Sequence, residues 1–182
     1  LIVITLDNTI LNVALPTLVD KLHATNSQLQ WIVDGYTLVF AGLLLTAGTL
    51  GDRFGREGAL QFGLVIFALG SLLSAFATDP RHLIATRSLM GIGGAFIMPS
   101  TLSILTNVFK EGERARAIGI WSGVAGLGVA IGPLAGGYLV DHIGWEAIFL
   151  VNLPVVAIGL IAGVFLIPNS KDPSHAKLDI PG

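Results

Sequence analysis

Three ionisable residues lie inside long apolar runs of this 182-residue chain: Asp7, Asp34 and Arg87. A charge at the centre of a membrane helix costs roughly 2.5–3.5 kcal/mol on insertion scales, so it needs a partner or a wet cavity. Two carboxylates and one guanidinium suit one kind of chemistry. One carboxylate can pair with the guanidinium, and the other has reason to take up a proton, because burial disfavours a charged carboxyl group. At 1.5 Å of rise per residue, Asp7 is about 13 Å from Pro16, Arg87 about 9 Å from Arg81 and Asp34 about 5 Å from Trp31. All three therefore belong to one half of the membrane. The residue types leave open which carboxylate does which. Asp34 is shallow enough to snorkel to the interface, and Arg87 could serve as a tie between helices. Asp7 is the hardest to treat as structural.

The run that carries Asp7 has a second polar face. Thr5, Asn8, Thr9 and Asn12 follow the i, i+3, i+4, i+7 spacing and are candidates to line a cavity. Asp7 lies roughly opposite them on a 3.6-residue wheel. A helix with polar groups on both sides needs protein and water around it, not lipid.

These groups are positioned by six apolar runs, each about the 20 residues a membrane helix needs. They are Leu1–Val19, Trp31–Leu50, Ala59–Thr78, His82–Phe109, Ala117–Val140 and Ala147–Pro168. The fourth is over-long, so its Thr101–Phe109 end should leave the hydrocarbon near residue 105. Asp79-Pro80 supplies it with a capping residue and a first-turn proline. Residues 1–168 thus read as a six-helix transmembrane bundle, all-α in class, and residues 169–182 as a cytoplasmic connector. The chain begins at Leu1, inside an apolar run, and ends at Gly182 without a clear stop, so a fragment is expected.

Composition agrees. The chain is 53% hydrophobic and only 12% charged, about half the soluble average of roughly 25%. Mean hydropathy is +0.78. There is too little charge to coat a soluble domain. Basic residues are few and sit at run ends, so nucleic acid is excluded as a partner. With no cysteine and four scattered histidines, thiol chemistry and metal sites are excluded, and no cofactor is expected. No nucleophile–base spacing points to an enzyme.

The loops set an orientation. Arg53, Arg56, Lys110, Arg114, Arg116, Lys171 and Lys177 fall in one set of connectors, against Lys21 and Arg81 in the other. The positive-inside rule makes the first set cytoplasmic. Trp31 and Trp145 then fall at outer boundaries, where indole rings favour the interface. The pattern Gly-x-Leu-x-Asp-x-x-Gly occurs twice, as Gly48–Gly55 and, 89 positions later, as Gly137–Gly144. The first copy falls inside and the second outside, as an inverted three-plus-three repeat requires. In the inner copy, Asp52 is placed to cap the next helix or to pair with Arg53 or Arg56. Gly128, Gly132 and Gly136 recur every four residues on one helical face, where small residues permit close helix contact in lipid. Pro133 should bend that helix. Glycine stripes also serve static packing; with Pro133 and Gly137 this one reads as a hinge or sliding interface.

At this point the motifs resemble a known family. The chain is similar, over essentially its whole length, to the N-terminal six-span half of major facilitator superfamily transporters. Within these it looks like the fourteen-span drug:proton antiporters of bacteria. Five stretches carry the resemblance. Leu6–Pro16 resembles the first-span motif of that branch. Gly48–Arg56, with Gly48, Asp52, Arg53, Gly55 and Arg56, resembles the superfamily's loop signature. Arg87–Gly93 resembles the fourth-span motif, whose arginine is implicated in proton coupling. Gly128–Gly137 resembles the fifth-span antiporter motif through Gly128, Gly132, Pro133, Gly136 and Gly137. Trp145–Pro154 also looks typical of the branch. Met90 replaces a usual glutamine, Glu57 a common base and Gly51 a frequent alanine.

The resemblance implies a proton-coupled exporter of drugs or other amphipathic toxic compounds in the bacterial cell membrane. Its partners would be lipid, protons, an amphipathic or cationic substrate and a C-terminal half. Asp7, Asp34 and Arg87 would couple protons to substrate. The alternatives are a transporter of a specific metabolite with the same fold, and a non-transporting membrane sensor or scaffold.

Overall fold

Every apolar run forms a helix, and most of the helices outlast the run that announces them. The computed structural model describes residues 1–166. Its elements are α1 (Ile2–Leu22), α2 (Asn26–Phe54), α3 (Arg56–Ala75), α4 (Pro80–Val108), α5 (Glu111–His142), α6 (Ala147–Leu150) and α7 (Asn152–Leu166). The expected connector 169–182, with Lys171 and Lys177, and the end of the sixth run at Pro168 lie outside the described residues. Six stretches are long and apolar enough to cross a membrane, the sixth being Ala147–Phe165 across the short break between α6 and α7. The chain is a multi-pass membrane protein.

The differences in length have a common cause. Apolarity marks the hydrocarbon, whereas hydrogen-bond satisfaction sets the helix ends. α2 starts at Asn26, five residues before the apolar run, because Thr25 and Gln28 form a reciprocal capping box. α5 starts at Glu111 and carries Glu111 and Glu113 in its first turn, where carboxylates favour the helix N-terminus. Its 32 residues make it about 48 Å long, beyond a hydrocarbon core of about 30 Å. α4 starts as expected: Asp79 accepts from the backbone N–H groups of Arg81 at 2.9 Å and His82 at 3.0 Å.

In both copies of the repeated motif the last glycine has a positive φ. Gly55 has φ 122° and Gly144 has φ 136°, and no other described glycine lies in that left-handed region. An L side chain is strained there, so the second glycine of each copy is required by the backbone. The side chains around the turns differ. Trp31 is exposed at the start of α2, as an interfacial anchor should be. Trp145 is buried, edge-on to Phe149 with ring centroids 6.3 Å apart. The Gly144 turn folds it inward, so it belongs to the core and not to the membrane surface.

Packing depends on glycine because lipid supplies no hydrophobic drive between helices. α4 is the central helix, with α2 and α3 against it. A methyl group on Gly63 would sit 2.8 Å from the Gly93 carbonyl oxygen, and one on Gly91 would sit 2.6 Å from the Tyr36 carbonyl oxygen. The backbones of α3 and α2 therefore touch α4 directly. α5 packs on α1 by the same device. Gly128 meets Thr5, Gly132 meets Thr9, and Gly136 meets the backbone of Ile10. Large apolar side chains such as Leu45, Leu134 and Phe165 point outward, as an apolar surrounding demands.

The glycine contacts predict a split. Gly93→Ala should lower stability by about 1–3 kcal/mol through overpacking. Gly137→Ala should be neutral or stabilising, since it meets nothing within 4 Å and alanine is the better helix former. Thermal unfolding in detergent, followed by the loss of the monodisperse fraction, checks both. Equal losses in the two variants would contradict the packing described.

Candidate functional site

Arg87 is fully buried in α4 and gathers its partners from two other helices. Its Nη1 is ion-paired and hydrogen-bonded to Asp7 Oδ2 on α1. Nη2 donates to Asn8 Oδ1 at 3.4 Å, and Nε donates to the Ile32 carbonyl of α2 at 3.5 Å. The guanidinium lies over the Tyr36 ring, 4.4 Å from its centroid. A planar guanidinium can satisfy its separate donors and stack at the same time, which an ammonium group cannot. The charge is thus compensated by a carboxylate, two oxygen acceptors and an aromatic face.

Asp7 is as deeply buried as its partner. Its second oxygen, Oδ1, accepts from Asn152 Nδ2 of α7 at 2.9 Å. Asn152 also donates to Ser71 Oγ of α3 at 3.1 Å, and Ser71 donates to the Phe149 carbonyl at 2.8 Å. One polar chain therefore runs through α1, α2, α3, α4, α6 and α7. Removing one member of a buried ion pair leaves an uncompensated charge, at a cost of about 3–5 kcal/mol.

Of the three ionisable residues singled out from the sequence, the structure joins Asp7 and Arg87 and leaves Asp34 apart. Asp34 is half-buried on α2, and among the described residues its carboxylate makes no ion pair. The four polar residues of α1 divide. Thr5 and Thr9 face α5, where Thr9 Oγ1 lies 3.3 Å from the Gly128 carbonyl. Asn8 faces Arg87, and Asn12 is exposed. In the fifth-span motif Gly128, Gly132 and Gly136 form the contact with α1, whereas Pro133 is exposed and Gly137 meets nothing.

The Gly48–Arg56 motif builds a second, smaller cluster. Asp52 Oδ1 accepts from Arg56 Nε at 2.7 Å and from Ser103 Oγ of α4 at 3.0 Å. A methyl group on Gly48 would touch Pro99 at 3.4 Å, and one on Gly51 would crowd Ala59 at 3.2 Å. The end of α2 and the start of α3 are thereby seated on α4. Arg53 points away, over the Phe54 ring at 5.5 Å.

Sequence reasoning gave no role to Asn152, Ser71, Tyr36 or Ser103. Asn152 and Ser71 did carry a signal, since a polar side chain in an apolar span must find a partner. Spacing gave no indication of which partner. Met90 faces α3, with its sulfur 3.7 Å from Ser74 Oγ.

Comparison with known proteins places this geometry. The sequence profile of the Major Facilitator Superfamily matches residues 1–182. The multidrug efflux pump LfrA of Mycolicibacterium smegmatis is 42% identical over 98% of this chain and 36% of its own length. The methyl viologen resistance protein SmvA of Salmonella typhimurium is 44% identical over 85% of this chain and 32% of its own. The riboflavin transporter RibZ of Clostridioides difficile is 36% identical over 98% and 39%. The chain spans roughly a third of the length of such relatives. An apolar bundle with one buried ion pair, matched over its full length, belongs to the Major Facilitator Superfamily of transporters.

Proposed function

We propose that this chain is the N-terminal, proton-coupling bundle of a bacterial cell-membrane exporter of amphipathic or cationic toxic compounds. The observation that carries the proposal is the Asp7–Arg87 ion pair, fully buried between α1 and α4. Relatives named for multidrug efflux and methyl viologen resistance support the substrate class.

The mechanism follows from what a proton does to such a pair. Charged Asp7 is held by Arg87 and Asn152. A proton on Asp7 removes the countercharge, and a buried, unpaired guanidinium is costly. A conformation that rehydrates Arg87 is then favoured, so protonation shifts the population between states. A cationic substrate competes with the proton for the same carboxylate, which makes the exchange an antiport. Asp34 sits outside this network and is assigned no part in coupling.

The moving parts are proposed from the repeat. Three spans, α3, α4 and α5, separate Asp52 from Asp141, which would put the two copies on opposite faces. Under an exchange of the two halves, the packing of α2 on α4 corresponds to that of α5 on α1, and both contacts are present. The matching φ of Gly55 and Gly144 supports the same inverted repeat.

A second reading has one observation in its favour. RibZ is named a riboflavin transporter, so a single metabolite could be the cargo. Loss of one metabolite's flux with unchanged drug tolerance, in cells lacking the gene, would select that reading.

The experiments use the full-length gene product. Asp7→Asn should reduce proton-driven efflux of a cationic dye more than tenfold, and Asp34→Asn should change it less than threefold. Undiminished proton-driven export by Asp7→Asn would remove the residue from the mechanism. Arg87→Gln alone should lose about 3–5 kcal/mol of stability, as breaking a buried pair does. The double change Asp7→Asn with Arg87→Gln should recover most of that stability, read as thermal unfolding in detergent, without recovering export. Recovery of both would make the pair a structural tie and favour a sensor or scaffold.

A further inference from the structure

α4 and α5 are joined by the short turn at Phe109-Lys110, and both line a cleft of about 470 Å³ beside it. That volume falls within the usual range for small-molecule sites. Glu113, Arg116, Ile120 and Trp121 of α5 line one wall, at the i, i+3, i+7, i+8 spacing of a single helical face. Leu105 and Phe109 form the wall opposite. Trp121 ties the far end together, since its Nε1 donates to Thr101 Oγ1 of α4 at 3.4 Å.

The cleft is graded from charge to apolar surface. Trp121 stands about 12 Å along the helix from Glu113, at 1.5 Å of rise per residue. α5 is longer than the hydrocarbon is thick, and its apolar run begins only at Ala117. Glu113 and Arg116 therefore stand at headgroup depth, with Ile120 and Trp121 in the hydrocarbon. Both charged side chains are exposed, and among the described residues neither is ion-paired. Arg114 does not join them. Its Nε donates to the Phe109 carbonyl at 3.2 Å.

The two rim charges select the occupant. A molecule carrying only a cation would be repelled by Arg116, and one carrying only an anion by Glu113. A molecule with both charges a short bridge apart, above an apolar chain, satisfies the whole cleft. We propose that this cleft binds a membrane phospholipid whose headgroup is zwitterionic and ends in a primary ammonium. Arg116 takes the phosphate, whose oxygens match the guanidinium fork. Glu113, its neighbour one turn away on the same face, accepts from the ammonium. The acyl chain runs past Ile120 to Trp121. Exposed ion pairs are individually weak, so the lipid is preferred several-fold over other lipids and exchanges with them. It lies between α4, which carries Arg87, and α5, which packs on the helix of Asp7.

The test uses the full-length gene product in phosphatidylcholine vesicles, with bromine on the upper acyl chain of a second lipid as a contact quencher of tryptophan. The signal of Trp121 is the difference between the wild type and Trp121→Phe. Brominated phosphatidylethanolamine should quench it at about three- to tenfold lower mole fraction than brominated phosphatidylglycerol. Glu113→Gln should remove that preference, because the ammonium loses its acceptor. Arg116→Gln should shift both lipids to higher mole fraction, because both lose a phosphate contact. These side chains are exposed, so both variants should fold. Equal quenching by the two lipids in the wild type would overturn the proposal, as would a preference for the glycerol headgroup. No quenching of Trp121 by either lipid would mean that the rest of the protein covers the cleft, and would also overturn it. Relief of quenching by tetraphenylphosphonium in the wild type but not in Glu113→Gln, with no preference between the lipids, would make this a site for cations instead.

Discussion

The bundle is organised around a charge that cannot be left alone. A guanidinium in an apolar interior is tolerated only if a countercharge and further acceptors reach it, and each must come from a neighbouring helix. α1 brings Asp7 and Asn8, and α2 brings the Ile32 carbonyl and the Tyr36 ring. α7 brings Asn152, which α3 supports through Ser71. These contacts need backbones at close range. Gly91 lets α2 approach α4 at Tyr36, and Gly93 with Gly63 lets α3 approach from the other side. The glycine content of the spans and the buried pair are thus one constraint. Larger residues at these positions would push away the helices that satisfy Arg87.

The same pair explains why one interaction can be both structural and functional. A tie that depends on charge is strong only while the charge persists, and a proton on Asp7 would cancel it. The apolar contacts around it, such as those of Phe67, Leu83 and Phe149, are indifferent to pH. On the proposed reading the ion-paired cluster therefore differs from the rest of the core in kind: it would respond to a small ion, whereas the packing around it would set how far the response reaches. Family membership makes transport the context for that response.

Most of the fold was legible because membrane insertion is a severe filter. Backbone groups must be satisfied within each span, so apolar length predicts helix, and the Asp79-Pro80 cap fell where it was expected. Helix ends were less legible at Asn26 and Glu111, where capping and the helix dipole extend structure beyond the apolar run. In the site, Asp7 and Arg87 stood out because a buried charge is rare. Asn152 and Ser71 did not, because a neutral polar side chain can be satisfied by many partners. Asp34 looked equivalent to Asp7 by type and differs by environment: one carboxylate is buried against a guanidinium, the other is half-buried and, among the described residues, makes no ion pair. Trp145 was misplaced because its position was counted along the chain, while the Gly144 turn decides where its ring goes.

The duplicated motif shows how one backbone device can carry two chemistries. Gly55 and Gly144 both take a positive φ, and Glu57 and Glu146 follow at the same offset. The position that is Arg56 in the first copy is Trp145 in the second. In the first, Asp52 holds Arg56 and Ser103 by charge and hydrogen bonds, and the ion pair remains partly open to solvent. In the second, Trp145 fills the core against Phe149, and Asp141 is left exposed. A partly solvated ion pair is weak and can exchange partners with little loss, whereas a buried indole comes out only at the cost of its apolar contacts. The two ends of the bundle therefore differ in how easily their turns can rearrange. The Gly48–Gly55 turn is suited to making and breaking contact with α4, and the Gly137–Gly144 turn to staying fixed beside the Asn152 end of α7. That asymmetry would leave the Asp7–Arg87 pair anchored at the end of the bundle where Asn152 joins it.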